Sequence, residues 1–561
     1  MTRLIITVLL IFVSGCTPTP ADGDGPVSAA DTVFTNADIY TMDPERPRAD
    51  ALAVRDGKII AVGGDTDILK FCGPNTGKVD LKGRVVVPGL IDSHAHLASL
   101  GSLVTGSLDL RQTRSYDKML EAVKEAVAKA KKGDWITGGR WDQANWGQKK
   151  LPTHHRLSEV SPDNPVWLTR VDGHAGLANA RAMELAGIDD STPNPRGGEI
   201  LRDSKGKATG IFVDNAKSLI IRAMPYSAGS SVEDYVLAAQ KRCLAVGLTG
   251  VHDAGVSPAE IGLYKKLADD HKLKLRIYAM VDSGSAVPYF EKNKPLIGYG
   301  DNRITVRAVK CMVDGAMGSR GAWLLADYSD RKGYRGLPGQ QPEFILKISR
   351  AALKHGYQVC THAIGDRGNR ETIDVYEKAL KDNPVKDHRF RVEHAQMVSL
   401  EDIPRFAELG IIPSMQQTHC TSDMRWAEDR VGPERVKGCY AWAKFLRAGC
   451  RIAGGSDFPV ESENPLLGFY AAVTRANAEG LPSGGWRPED LMTREEALRS
   501  FTIDAAYAAF EEKIKGSLEV GKLADFVVLS KNIMTCAAAE ILKTECLMTV
   551  IGGEMVYEKK Q

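Results

Sequence analysis

Two histidines separated by one residue, His94 and His96, close the segment Pro88-Gly89-Leu90-Ile91-Asp92-Ser93-His94-Ala95-His96. Residues two apart on a β-strand project from the same face, so both imidazoles could reach one metal ion. A pair of histidines in a loop or on a surface strand would show the same spacing. The motif alone therefore leaves both interpretations open.

Three more residues with metal-binding side chains follow apolar runs much later in the chain. His362 and His394 each close such a run, and Asp457 follows Ile452-Ala453-Gly454-Gly455-Ser456, whose glycines let the backbone approach a ligand closely. Four imidazoles and a carboxylate at one rim would suit zinc and would tolerate manganese, iron or cobalt. The alternative is a set of buried structural histidines, each with its own hydrogen-bond partner.

Lys310 lies in the middle of an apolar strand-like segment at 306–315. Strand alternation puts it on the same face as Ala308, Met312 and Asp314. A lysine inside a barrel loses most of its hydration, so it needs a partner or a changed chemical state. Its neutral amine can react with carbon dioxide to give a carbamate, whose two oxygens could bind two metal ions. An ion pair with Asp314 or another acid is the alternative.

These residues belong to a long region in which short apolar strands alternate with helical patterns, which is typical of a parallel sheet with helices outside. Eight strands are predicted, the number that a closed (β/α)8 TIM-type barrel needs, and a polar residue at a strand's C-terminal end is where this architecture places catalysis. A large insertion is predicted after strand 1, from about residue 100 to 235. The predicted strand ends are His94-Ala95-His96, Val251-His252-Asp253, Met280-Val281-Asp282, Met312-Val313-Asp314, Thr361-His362-Ala363, Glu393-His394-Ala395, Gln416-Gln417-Thr418-His419 and Gly455-Ser456-Asp457.

Both ends of the chain carry a second pattern, of short alternating strands broken by turns. It covers residues 31–87 and 509–561, on either side of the barrel at 88–508. The Asp56-Gly57 pair between two alternating runs is a strong hairpin signal. Each end has too few strands to bury a face alone, so the two ends are predicted to form one small β-sandwich together.

Residues 1–16 resemble a bacterial lipoprotein signal peptide. Arg3 precedes a short apolar run that ends in Val13-Ser14-Gly15-Cys16. In such a segment the cysteine is lipidated and becomes the mature N-terminus, and several acyl chains on one residue give lasting membrane attachment. Residues 17–30 would form a linker. The prediction is a lipid-anchored protein of the cell envelope, facing the periplasm or on the outer membrane of a Gram-negative bacterium; an ordinary secretory signal is the alternative.

The composition limits the classes of partner. The formal net charge is +2 over 561 residues, which gives no electrostatic footprint for nucleic acid. The predicted partners are a small-molecule substrate and, through Cys16, the membrane. The sequence leaves a homo-oligomer open.

Taken together, these residues resemble the amidohydrolase superfamily, and within it the family-3 branch of N-substituted formamide deformylase-like metal-dependent hydrolases. The resemblance covers nearly the whole chain after residue 30. It implies that His94, His96 and Asp457 bind one divalent metal ion, that His362 and His394 bind a second, and that carbamylated Lys310 bridges them. The motifs that carry it are the segment from Pro88 to His96, Asp172-Gly173-His174-Ala175, Gly197-Gly198-Glu199, Lys310 with Asp314-Gly315, His362-Ala363-Ile364-Gly365-Asp366, Glu393-His394-Ala395 and Gly455-Ser456-Asp457-Phe458-Pro459.

The chemistry expected of such a site is hydrolysis of a carbon–nitrogen bond in an amide, N-acyl or N-formyl compound. Two cations would lower the pKa of a shared water, and Asp457 would pass its proton to the leaving nitrogen. His174, from the insertion, could hydrogen-bond the carbonyl oxygen or the leaving group, with a structural histidine as the alternative. His419 is a candidate for the same role. Arg320 could hold a substrate carboxylate or be a solvated loop residue.

Two other functions fit the same residues. The same fold could hydrolyse a cyclic amide, a carbamate or an ester, or deaminate a ring. A non-catalytic sensor or regulatory lipoprotein could also keep the barrel. A binding module has no need for a water-activating aspartate, so retention of Asp457 favours an enzyme.

Overall fold

The computed structural model describes residues 29–147, 150–224 and 231–560. The predicted signal peptide with Cys16, and nearly all of the predicted linker, lie outside these residues. Within the described ranges, no helix has both the length and the apolar character needed to cross a membrane.

In chain order the strands are β1 (Thr32–Tyr40), β2 (Arg48–Ala49), β3 (Ala51–Arg55), β4 (Lys58–Gly63), β5 (Gly77–Pro88), β6 (Leu90–Ala95), β7 (Leu108–Asp109), β8 (Ile136–Trp141), β9 (Val166–Arg170), β10 (Ala175–Ala178), β11 (Gly198–Arg202), β12 (Ala208–Asp214), β13 (Leu248–Val256), β14 (Arg276–Asp282), β15 (Leu296–Gly298), β16 (Ile304–Met312), β17 (Gln358–Ala363), β18 (Arg391–His394), β19 (Ile412–Gln416), β20 (Ala453–Gly455), β21 (Phe526–Leu529), β22 (Cys546–Ile551) and β23 (Glu554–Glu558). The helices are α1 (Asp65–Ile68), α2 (Leu97–Thr105), α3 (Tyr116–Lys129), α4 (His154–Val160), α5 (Ala180–Leu185), α6 (Lys217–Ile221), α7 (Val232–Ala245), α8 (Pro258–Asp269), α9 (Ala286–Lys292), α10 (Tyr299–Asn302), α11 (Pro342–His355), α12 (Asp366–Asp382), α13 (Ile403–Leu409), α14 (Gln417–Asp423), α15 (Ala427–Arg435), α16 (Trp442–Arg447), α17 (Pro465–Thr474), α18 (Arg494–Ser500), α19 (Ile503–Ala508) and α20 (Ala538–Ile541).

Eight parallel strands form a nearly closed barrel in the order β6-β13-β14-β16-β17-β18-β19-β20. The two end strands come close together, because Ala95 and Phe458 form an isolated parallel bridge. A Cβ on Gly455 would lie 2.8 Å from the backbone nitrogen of His94, so glycine is needed for this approach. The predicted TIM-type α/β barrel is confirmed, and its strands are the eight whose ends the sequence marks.

Local sequence signals start and stop the helices between the barrel strands. At α8, the Ser257 hydroxyl accepts the Glu260 N–H while the Glu260 carboxylate accepts the Ser257 N–H, and Pro258 occupies the first turn. At α11, Pro342 begins the helix and Gly356 ends it with φ +79°. Such caps fix where each strand-to-helix connection turns.

The segment between β6 and β13 forms a sheet of its own, in the order β11-β12-β10-β9-β8-β7. We call residues 106–224 with this sheet the insertion. Trp141 and Trp167 are buried in two apolar clusters of the insertion, so they stabilise it internally. Gly139 packs so tightly that a Cβ there would lie 2.3 Å from the Thr169 carbonyl oxygen.

Strands from both ends of the chain join in one continuous sheet, β23-β22-β21-β5-β1-β3-β4, with β2 paired to β1. Asp56 and Gly57 both adopt positive φ in the turn between β3 and β4, the conformation that favours Asp-Gly in hairpins. The rings of Phe34 and Phe526 meet edge to face at 4.9 Å. The hydrogen bonding shows one sheet built from both ends of the chain. The β-sandwich itself stays a prediction. Since β5 runs almost directly into β6, this sheet anchors the first barrel strand.

Candidate metal centre

A cavity of about 690 Å³ opens at the C-terminal ends of the barrel strands. Its floor is formed by barrel residues and one wall by the insertion. Five of the residues named from the sequence line it: His174, His362, His394, His419 and Asp457.

His94, His96 and Asp457 form the most compact group of metal-binding side chains in the described residues. Their ligand atoms all lie within 4.8 Å of one another. Asp457 Oδ1 is 3.2 Å from His96 Nε2 and 3.7 Å from His94 Nε2. β6 supplies both histidines, one on the strand and one just after it, whereas Asp457 follows β20. These elements become neighbours only when the barrel closes.

Hydrogen bonds to Nδ1 orient three of the imidazoles. His94 bonds the Glu393 carboxylate through Nδ1. His96 Nδ1 is 3.1 Å from the Ala254 carbonyl oxygen, and His394 Nδ1 is 2.7 Å from Gln416 Oε1. Because each acceptor holds an Nδ1–H, Nε2 carries the lone pair in all three rings, and in His94 this lone pair faces Lys310 Nζ. This is the tautomer that a metal-binding histidine needs.

The buried imidazoles are neutral at physiological pH. Burial, assisted by the nearby Lys310 charge, lowers the pKa of His94 to about 4. Burial also lowers the pKa of His362 and of His394 well below the ordinary histidine range. Neutral rings bind a metal without first releasing a proton, so the site is electrostatically ready for a cation.

Several polar atoms at this rim lack a hydrogen-bond partner among the described residues. They are His362 Nε2, His419 Nε2 and Asp457 Oδ1, all of which are buried. Burial would raise the pKa of Asp457, but the surrounding imidazoles, His96 foremost, outweigh it, so its pKa lies well below the usual value. A buried anion beside unsatisfied imidazole nitrogens fits a divalent metal ion with nitrogen and oxygen ligands.

Lys310 lies at the same rim, with Nζ 2.9 Å from His94 Nε2. Its side chain is 91% buried and forms no ion pair with any described residue. Burial lowers the pKa of Lys310, which favours the neutral amine. Asp314 is not its partner, because that carboxylate instead accepts the N–H groups of Trp323, Ile364 and Gly365 at 2.9, 3.0 and 2.8 Å.

Glu393 and Arg391 form a charged layer beneath the histidines that sequence reasoning did not assign. Arg391 Nε is 2.7 Å from Glu393 Oε1, and Arg391 also bonds His252 Nδ1 and Ser414 Oγ, both at 2.9 Å. Burial opposes ionisation of Glu393, but the charges of Arg391 and His94 hold its pKa far below the usual value. The sequence signal that could have identified them is a pair of opposite charges, two residues apart, within an apolar strand.

Asp92 joins the two ends of the barrel. Its carboxylate accepts the His94 N–H at 3.0 Å, the Ser456 N–H at 3.0 Å and the Ser456 hydroxyl at 2.6 Å. Asp457 follows directly with φ +59°, a left-handed conformation that is unusual for aspartate. The bonds of Asp92 therefore fix the backbone on which His94 and Asp457 are presented.

His174 and His419 lie next to different members of this group. The His174 ring is 5.1 Å from that of His362, and its Nδ1 is 2.6 Å from Asp214 Oδ1. His419, in α14, stacks against His394 at 6.0 Å and places Nε2 3.9 Å from Asp457 Oδ2. Both imidazoles face the cavity.

Arg320 lies elsewhere. Its guanidinium pairs with Asp330 at 3.1 and 2.8 Å, and it does not line the cavity. The carboxylate-binding role considered for it is therefore not supported by its position. The insertion instead places Arg140 on the cavity wall. Sequence reasoning missed this residue, because the absence of an ion-pair partner becomes visible only in the folded structure.

The chain is similar to known proteins along nearly its whole described length. A family model described as "Amidohydrolase family" matches residues 78–557. The chain is 35% identical over 541 residues to "Protein LONG AFTER FAR-RED 3" of Arabidopsis thaliana, covering 94% of this chain and 92% of that protein. It is 29% identical over 558 residues to "N-substituted formamide deformylase" of Arthrobacter pascens, covering 94% and 98%. A crystal structure of an uncharacterized metal-dependent hydrolase from Pyrococcus furiosus has a TM-score of 0.70 and 26% identity, covering 90% of this chain and all of that one.

Proposed function

The chain belongs to the amidohydrolase family, and from that premise we propose that it hydrolyses a carbon–nitrogen bond in an N-acyl or N-formyl compound with two divalent metal ions. The observation that carries the proposal is the meeting of His94, His96 and Asp457 at one rim, with the Lys310 amine beside them. Three segments far apart in the sequence supply this group. A structural role alone would not require their free Nε2 lone pairs to converge.

The proposed ligand sets follow the positions of the side chains. His94, His96 and Asp457 would hold one ion, while His362 and His394, whose ring centres are 4.5 Å apart, would hold the other. The second pair needs a third ligand, and a carbamate on Lys310 would reach both ions. The mixture of imidazole nitrogens and carboxylate oxygens suits zinc, and manganese, iron or cobalt would also fit.

When bound, the two ions would supply Lewis acidity to the substrate carbonyl and make a water molecule acidic near neutral pH. Asp457 would then move the proton. Its Oδ1 faces His96 and has no hydrogen-bond donor among the described residues, so it can accept a proton from water and deliver it to the leaving nitrogen. An amide needs this second transfer because an amide anion is a poor leaving group.

His174 and His419 would both act on the substrate from the cavity lining. Asp214 fixes the His174 tautomer so that Nε2 can contact a carbonyl oxygen or leaving group. His419 Nε2 is buried and has no hydrogen-bond partner in the described part of the chain. We propose that His174 takes part in the reaction and that His419 positions substrate.

A metal-exchange assay on matched substrates tests this function. Zinc-loaded and EDTA-treated protein would be offered N-formyl and N-acetyl amines, the corresponding esters and carbamates, cyclic amides and amino-substituted rings. We expect release of formate or acetate together with free amine, lost with EDTA and restored by zinc or manganese. Preferential cleavage of an ester or ring would change the substrate class, and no turnover by fully metallated protein would favour the non-catalytic alternative.

We also propose that the protein is anchored to the cell envelope through a lipidated Cys16, which lies outside the described residues. The support is the sequence of residues 1–16. Membrane fractionation after expression in a Gram-negative host, with mass spectrometry of the N-terminal peptide, tests it. Cys16→Ser should release the protein from the membrane fraction, and unchanged fractionation would contradict the anchor.

A further inference from the structure

Arg140 stands on the insertion wall of the cavity, near the end of β8. Its guanidinium donates one hydrogen bond, from Nη1 to the Val171 carbonyl oxygen at 3.2 Å. No described carboxylate forms an ion pair with it. Four of its five N–H donors are therefore left for something that enters the cavity.

Two other arginines of this wall, Arg111 and Arg170, form ion pairs with acids of the insertion. Arg111 forms a bidentate pair with Asp109, with Nε and Nη2 bonds of 3.0 and 2.6 Å. Arg170 bonds Asp142 at 2.9 Å and Asp172 at 2.6 Å. The chain thus neutralises neighbouring guanidiniums and leaves Arg140 without a counter-charge.

Without a bound ligand, both the surroundings and the backbone conformation of Arg140 are energetically unfavourable. Burial lowers its pKa, and the charges of Asp457 and Asp172, neither within ion-pair distance, oppose that effect only in part. The residue also has φ +69°, in the left-handed region that favours glycine. A partly buried, unpaired cation on a strained backbone is the kind of feature that persists at binding sites.

The surroundings favour a singly charged, planar anion. Arg140 offers a fork of parallel donors, which matches a carboxylate in bidentate geometry. Two acids of the same cavity, Asp423 and Glu461, lie near His419. Negative charge on these two acids would repel a doubly charged phosphate more strongly than a singly charged carboxylate.

We propose that Arg140 binds a free carboxylate of the substrate, so that the compounds hydrolysed are N-acyl or N-formyl amino acids or similar carboxylate-bearing amides. This inference rests on the proposed amide hydrolysis and narrows its substrate class. Arg140 and Asp457 line the same cavity, so the guanidinium and the reacting rim face one bound molecule. The carboxylate would thereby hold the scissile carbonyl over the metal ligands.

The test compares each N-formyl or N-acetyl amino acid with its uncharged carboxamide, using metal-loaded wild-type protein, Arg140→Met and Arg140→Gly. The wild type should favour the carboxylate in kcat/KM by roughly 10- to 100-fold, the worth of a charge-assisted hydrogen bond. In both variants this preference should fall to about one. Arg140→Gly is included because glycine adopts φ +69° without strain, so a folded variant is expected even if Arg140→Met unfolds. Arg111→Met is the matched control and should keep the wild-type preference.

A binding measurement tests the carboxylate site independently of the proposed amide hydrolysis. Calorimetric titration of the metal-loaded wild type and Arg140→Gly with benzoate, benzamide and inorganic phosphate needs no turnover. Tighter benzoate binding that is lost in Arg140→Gly supports the carboxylate site even if no amide is hydrolysed. Amide hydrolysis without a carboxylate preference in the wild type overturns the inference and leaves the function intact. An equal loss for both substrates in the variants, or tighter binding of phosphate than of benzoate, would also overturn it.

Discussion

Two arginines, one buried in the barrel and one partly buried on the insertion, show how differently these regions treat charge. Arg391, inside the barrel, is surrounded by Glu393, His252 and Ser414, so its donors are used within the protein. Arg140, on the insertion, has one backbone acceptor. The barrel surrounds its buried guanidinium with partners, whereas the insertion leaves a cation facing the cavity. We infer that the barrel holds the metal ions and that the insertion acts on the substrate.

If that division is correct, changes in the barrel should remove metal and turnover for every substrate. Changes in the insertion should leave the bound metal in place and alter rate or selectivity. The following variants test it from the largest expected effect to the smallest.

Lys310→Ala should have the largest effect, with loss of most bound metal and most activity. The variant lacks the only proposed ligand shared by both ions. Elemental analysis and turnover of the purified protein measure this, and short-chain carboxylates such as acetate or propionate should restore part of the activity. Lys354→Ala, at an exposed position, is the control. Full metal content in Lys310→Ala would contradict a bridging role.

Asp457→Asn should lose turnover by about 10²- to 10⁴-fold, the range for removal of a general acid–base group. Much of the metal should remain, because the histidines and an amide oxygen are still present. The ratio of kcat to bound metal separates the two effects. Asp374→Asn, an exposed carboxylate paired with Arg405, provides the control. A near-normal kcat would remove Asp457 from the proton transfers.

Glu393→Gln should weaken metal binding by about 10- to 100-fold, as loss of an outer hydrogen-bond partner does in other metal sites. His94 would lose its anionic acceptor and Arg391 its counter-charge. Titration of zinc against a competing chelator gives the affinity. Glu401→Gln changes a carboxylate that is 84% exposed, so its affinity should equal that of the wild type. Equal affinities in the two variants would argue against the charged layer.

His174→Asn should lower kcat by about 10²-fold through loss of a hydrogen-bonding imidazole, with the metal content unchanged. This outcome would show directly that the insertion affects turnover without affecting metal binding by the barrel. His154→Asn makes the same substitution in α4 of the insertion, away from the cavity lining, and should retain the wild-type kcat. Loss of metal in His174→Asn would show that the two regions are not independent.

Several features of the barrel and its rim follow from the sequence alone. Apolar runs of strand length marked all eight barrel strands, and strand periodicity placed His94 and His96 together because alternate residues share a face. The polar residues that end those runs, from His94 to Asp457, meet at one rim since parallel strands align their C-terminal ends. The Asp56-Gly57 turn was equally readable, because its conformation is decided by two adjacent residues.

Only the tertiary structure decided which charges meet. Glu393 bonds a histidine 299 residues away in the sequence. Asp314 accepts backbone N–H groups, and Arg320 forms an ion pair with Asp330. Periodicity states the face on which a side chain lies but not its partner, because partners are set by how the barrel closes and how the insertion folds over it. For the same reason, no pattern in the chain could have revealed that Arg140 is left without an acid.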